Sequence, residues 1–156
     1  MRSLLLQLLI LQVHLSSNAQ IRSKANFINP TGSYKLNGRT VKKNGETYGY
    51  FGDIKVKLLA NSRIAITLFV CKGAPSYNSG TIWDTLHYQN NKAIYLTPED
   101  DSTCKITFTF KKTGIFINQQ QANLNFGCGF GHGVFADGYY KKISSKIPVI
   151  DDPAVN

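Results

Sequence analysis

Residues 104–142 read CKITFTFKKTGIFINQQQANLNFGCGFGHGVFADGYYKK. From Lys105 to Lys111 apolar and polar residues alternate without a break. Successive side chains of a strand point to opposite faces, so Ile106, Phe108 and Phe110 belong to one buried face. Lys105, Thr107, Thr109 and Lys111 belong to the wet one. Lys112-Thr113-Gly114 is a short turn, and Gly114 supplies any positive φ it needs. Ile115-Phe116-Ile117 then starts the return strand of a β-hairpin.

Cys104 has the parity of Ile106 and is expected to face inward. Cys128 follows the return strand and a polar connection, so the two ends lie close enough for a Cys104–Cys128 disulfide. The closed loop of 25 residues corresponds to about 3–4 kcal/mol by chain-entropy arithmetic. Residues 127–133, GCGFGHG, place glycine at every second position. They lack the Lys-Ser/Thr of a phosphate-cradling loop, and no helical pattern follows. Two readings stand: a bulge or close backbone approach in a curved sheet, or a ligand loop. Residues 134–140 read as a strand with a kink.

The chain has 156 residues. Its start has the form of an export signal. Arg2 gives the positive charge, residues 4–13 a short apolar core, and Ser17-Asn18-Ala19 small residues before a cut at Gln20. The apolar run is too short to span a bilayer, and no later segment is a transmembrane candidate. The remaining 137 residues form one domain with enough length for its own core. Without Arg2 the 18 basic residues become 17 against 9 acidic, a charge of +8. Export, to the periplasm or the medium, removes cellular nucleic acid as a partner. Anionic glycans, membrane surfaces and acidic proteins fit the charge. Three cysteines in an oxidising compartment give one bridge and one leftover, Cys71. Their spacing matches no zinc site, and no cofactor or metal motif is present.

Strands are expected over 32–36, 48–59, 63–71, 81–88 and 92–97, with a solvated loop over 41–47. The hairpin and glycine segment supply about three more. The fold class is therefore all-β: an antiparallel meander of about eight strands closing into a small barrel, with a β-sandwich as the alternative, preceded by a signal-peptide helix. Closure removes both exposed edges. The expected division is a signal peptide over 1–19, an N-terminal arm over 20–30, the barrel over 31–143 and a tail over 144–156. A monomer is expected.

Gly32-Ser33-Tyr34 opening the first strand, and Gly138-Tyr139-Tyr140-Lys141-Lys142 closing the last, resemble the ends of lipocalin-like barrels. In that family a Gly-x-Trp at the start is packed by a basic residue of the final strand. Tyr34 would take the place of the Trp, and Lys141 or Lys142 that of the base. This resemblance implies a cavity for a small apolar molecule. Ser79-Gly80-Thr81-Ile82-Trp83 resembles the Ser-Gly-x-x-Tyr loop of inhibitors of c-type lysozyme, with Trp83 for the Tyr. A basic protein would be repelled by basic lysozymes. The LFVCKG, PSYNSG, CKITF and CGFGHG segments resemble uncharacterised small secreted β-barrel proteins of Gram-negative bacteria, a resemblance that implies no activity.

An enzyme would need a nucleophile and a base. Cys71, His87 and His132 are the candidates, with Asp84 or Asp137 as orienting acids. No flanking motif supports them, and a strand cysteine is more often a small buried hydrophobe. The leading expectation is a non-enzymatic protein binding a small apolar molecule, a glycan or another protein. Its expected binding residues are Tyr77, Ser79, Trp83, Asp84, His87, Phe130 and His132, with residues 72–83 and 127–133 meeting at one barrel mouth. The strand carrying Trp83 is either buried on both faces or an aromatic surface. Asp84 shares a face with Ile82 and Leu86 and needs a donor if buried. The alternatives are an inhibitor of a secreted hydrolase and an enzyme built on Cys71 or His132.

Overall fold

A computed structural model of the chain describes residues 26–97 and 101–150. The expected signal segment, residues 20–25 of the arm, 98–100 and 151–156 lie outside the described residues. Nine strands are described: β1 (Gly32–Leu36), β2 (Val41–Lys43), β3 (Glu46–Leu59), β4 (Arg63–Gly73), β5 (Ser79–His87), β6 (Lys92–Thr97), β7 (Asp101–Lys111), β8 (Gly114–Gln120) and β9 (Gly138–Ser144).

They form one antiparallel sheet in the order β5-β4-β3-β1-β9-β8-β7-β6, with β2 folded onto β3. Consecutive strands pair except β1 with β2 and β5 with β6; β1 pairs with β3, and the first strand pairs with the last. Tyr34 lies opposite Lys142, and Leu36 opposite Tyr140. Among the described residues no ladder joins β5 to β6. The result is an eight-strand barrel nearly closed, with one seam. A single continuous sheet replaces the sandwich alternative.

Period-two patterning accounts for most of it. Ile64, Ile66, Leu68 and Val70 of β4 face inward, as do Ile54 and Val56 of β3 and Cys104, Ile106, Phe108 and Phe110 of β7. Tyr34 and Tyr140 are the largest side chains buried among them. Each such ring withdrawn from water contributes about 2–3 kcal/mol. The β3–β4 and β5–β6 turns use Asn61-Ser62 and Asn90-Asn91, all at positive φ. Short polar side chains tolerate that region, which matches the twist of a tight hairpin. The expected 105–117 hairpin is β7–β8, with Lys111 opposite Gly114.

Several expectations need correction. Residues 41–47 are not an open loop: Val41–Lys43 pairs with Glu46–Tyr48 around Asn44-Gly45. The strand expected at 81 begins at Ser79. Of the strand expected over 134–140, only the part from Gly138 onward is strand, and it runs on to Ser144. The glycine segment is a folded connection between β8 and β9 with one short 3-10 turn. The close backbone approach survives in it: a Cβ on Gly131 would lie 3.1 Å from the Ser79 carbonyl oxygen.

The part of the arm from Asn26 to Pro30 is held in place. Tyr88 Oη donates to Ile28 O at 2.6 Å, Tyr34 Oη donates to Pro30 O at 2.5 Å, and Asn91 Nδ2 donates to Asn26 O at 2.9 Å. This segment lies at the end of the barrel that carries the tight turns. The long connections occupy the other end.

Candidate functional site

At the loop end, the two connections expected to meet do meet. Gly131 N donates to Ser79 O at 2.9 Å, and Asn78 Nδ2 donates to His132 O at 3.0 Å. Lys72 Nζ donates to the same carbonyl at 3.4 Å. Phe130 is buried, its ring over Gly80, where a Cβ would lie 2.3 Å from a ring carbon. Tyr50 Oη donates to Gly133 O at 2.8 Å, and Tyr140 Oη donates to Ala136 O at 3.2 Å. Buried Val134 and Ala136 complete this cover.

The Cys104–Cys128 disulfide ties the cover to β7, with Cα atoms 5.0 Å apart. Asp101 adds a second tie. Its Oδ1 accepts from Thr103 N and Oγ1, and its Oδ2 accepts from Cys128 N at 3.3 Å. Those bonds, the Thr103 ones foremost, hold its carboxyl below the ordinary range. The mouth is thus occupied by the protein's own loop.

Tyr77, Ser79, Phe130 and His132 belong to this end. Tyr77 sits at φ 51° and its hydroxyl accepts from Thr47 N at 3.0 Å. His132 stacks edge-on against Phe126 at 5.2 Å. Ser79 and Gly80 are the first residues of β5.

Trp83, Asp84 and His87 lie elsewhere. At ~3.3 Å per strand residue, Trp83 is about 13 Å from Ser79 and His87 about 26 Å. β5 is buried on one face only: Gly80, Ile82 and Leu86 are inside, and Thr81, Trp83, Thr85 and His87 are outside. Trp83 is 37% exposed. Asp84 has inward parity yet is exposed, because β5 is an edge. Its donor is the Thr85 backbone N–H, at 2.6 Å from Oδ1.

The sequence did not reveal the neighbours of Trp83. Ladder register puts Thr67 opposite Trp83 and Phe69 opposite Thr81, so Phe69 is diagonal to Trp83 on the outer wall. Phe51 packs on Phe69 with ring centroids 6.3 Å apart. The signal was the odd parity of Phe51 and Phe69 on strands whose even positions are core. A cleft of about 340 Å³ runs beside Trp83, lined also by Lys57, Ala65, Asp84, Thr85 and Ile150. A second of about 430 Å³ lies over Phe51 and Phe69, edged by Lys35, Lys42 and Asp53.

Cys71 is the free cysteine and is buried, although its parity is outward. The β4–β5 connection covers it. Its Sγ donates to Tyr77 O at 3.5 Å and accepts from Gly73 N at 3.4 Å. It packs as a small hydrophobe whose polar contacts are to backbone. His87, paired with Arg63 at the far end of the ladder, is out of its reach. Among the described residues no group of three or more His, Cys, Asp or Glu side chains is placed to hold a metal ion.

Lys142 Nζ lies 5.5 Å from the Tyr34 ring centroid and donates to Asn29 O at 3.4 Å. Burial lowers its pKa. Among the described residues no helix is long and apolar enough to cross a membrane. Protein-family models, curated proteins and solved structures contain no match to this chain.

Proposed function

We propose that this protein is an exported, non-enzymatic binding protein whose ligand is a glycan seated on the outer wall of β3–β5, with Trp83 as platform. One contrast carries the reading. The rings of Tyr34, Tyr140, Phe108 and Phe110 are buried in the barrel and Phe130 is buried at its mouth, whereas Trp83 stands half-exposed beside an outer cleft. An indole face takes the apolar face of a sugar ring. Lys57 supplies a donor, Asp84 an acceptor, and the Thr85 hydroxyl either, for the ring's hydroxyls. The mixed charges at the cleft suit a polar, near-neutral surface better than an apolar molecule.

Trp83 is the chain's single tryptophan, so its fluorescence reports this site alone. Titration with hexose and N-acetylhexosamine oligosaccharides is expected to shift or quench the emission with saturation. Calorimetry on Trp83→Ala is expected to show that binding lost, with the thermal midpoint retained. Saturable binding of a fatty acid that leaves Trp83 emission unchanged and survives Trp83→Ala would overturn the reading in favour of an interior ligand.

A further inference from the structure

The turn end carries a cleft distinct from the Trp83 wall. It has a volume of about 340 Å³ and lies between the β7–β8 turn and the end of β9. Lys112, Lys141 and Lys142 line it, with Thr113, Ser144 and Ser145, and among the described residues no carboxylate does. Among the described residues these lysines have no ion-pair partner within 4.0 Å. Among the described residues the contacts of Lys142 Nζ are a carbonyl and a tyrosine ring.

Hydrogen bonding at the cleft is one-sided. Thr113 Oγ1 accepts from Tyr139 Oη at 2.8 Å, and Ser144 Oγ accepts from Lys146 N at 3.1 Å. Each hydroxyl carries a proton that it can donate to a bound acceptor. The cleft is also pinned: Lys142 N donates to Thr113 O at 2.9 Å, fixing the turn to β9. The lining therefore offers ammonium and hydroxyl donors from two elements held in register.

We propose that this cleft binds a tetrahedral oxyanion, a phosphate or sulfate group. Such a group is rich in acceptors and multiply charged. It would neutralise positive charge of the lining and accept from its hydroxyls. Spherical chloride carries one charge and lacks the directional oxygens.

The test is amide-resolved NMR on the intact chain, titrated with inorganic phosphate and sulfate at fixed ionic strength set by chloride. Saturable shifts confined to residues 112–114 and 141–146 are expected. The paired substitution Lys112→Gln and Lys141→Gln is expected to weaken binding about tenfold or more. The charge-matched pair Lys43→Gln and Lys105→Gln, on β2 and at the start of β7 away from the cleft, is expected to stay within about twofold. Shifts spread over all lysines, or equal weakening by both pairs, would overturn the site in favour of general charge screening. Sedimentation with phosphatidylglycerol vesicles separates the sources. Binding lost only in the Lys112/Lys141 pair assigns the group to a lipid headgroup. No difference between the pairs, alongside the expected phosphate titration, assigns it to a free oxyanion.

Discussion

Gly80 shows how one residue sets the mouth of this barrel. Nothing larger fits beneath Phe130, since a Cβ there would lie 2.3–2.6 Å from three ring carbons. Gly80→Ala is expected to unseat Phe130 and cost about 1–3 kcal/mol by overpacking, measured as a lowered denaturant midpoint. The sequence displayed this glycine only as part of a likeness to an inhibitory loop. Its true constraint comes from a residue fifty positions away, which no local pattern reports. The tyrosines act at the same scale. Tyr34 and Tyr88 hold the arm at one end, and Tyr140 holds the cover at the other, each donating to a carbonyl. Burial raises all three above the ordinary value of 10.0, Tyr88 to about 12. Below pH 10 folded and unfolded chains both keep these protons, so stability is unaffected. Above pH 10 the unfolded chain releases them while the native chain holds them, Tyr88 until about pH 12. Stability is then expected to fall by up to about 1.4 kcal/mol per pH unit for each tyrosine. Denaturant midpoints from pH 8 to 12, with phenolate absorbance alongside, check it. Native titration of all eight tyrosines near pH 10 would contradict it.

At the scale of elements, legibility followed exposure. β4 and β7 were readable because one face of each is buried, and alternation is the trace of that burial. β2 was not, since Val41, Lys42 and Lys43 are all exposed and carry no alternation. Its Asn44-Gly45 turn was visible and is a strong hairpin signal, but the surrounding polarity outweighed it. The β8–β9 connection failed the other way: glycine at alternate positions mimicked a strand period, while the chain uses it for close packing in a loop. The candidate site divided for a similar reason. Residues 79 and 87 were grouped in one binding surface, but β5 carries them to opposite ends of the barrel. The disulfide was legible because the hairpin between its cysteines brings their ends together. Replacing both Cys104 and Cys128 with serine is expected to cost about 3–4 kcal/mol in denaturant unfolding. The amides of 121–137 should lose hydrogen-exchange protection, while β3 and β4 keep theirs.

For the whole molecule, closure by β1 and β9 leaves a single seam among the described residues, and the seam raises the problem of edges. β5 is hydrogen-bonded on one side to β4, and β6 on one side to β7. An open edge is a template for pairing with another chain, and an inward-pointing charge is one of the ways proteins blunt it. Asp84 fits that role. It takes the inward position between Ile82 and Leu86, on a strand otherwise patterned for a buried face, and it remains exposed. A carboxylate there would have to be desolvated for a second strand to dock. This also bears on the oddity that made Asp84 conspicuous in the sequence: the acid at a core position falls on a strand with one ladder partner among the described residues. Asp84→Val completes the apolar stripe and removes the penalty. The variant is expected to self-associate with rising concentration in size-exclusion chromatography with light scattering, at concentrations where the natural chain does not. Asp84→Asn keeps the shape without the charge, so an intermediate response is expected if desolvation of the charge is the barrier. Identical elution of all three chains over the full concentration range would mean that the β5 edge is protected by something other than Asp84.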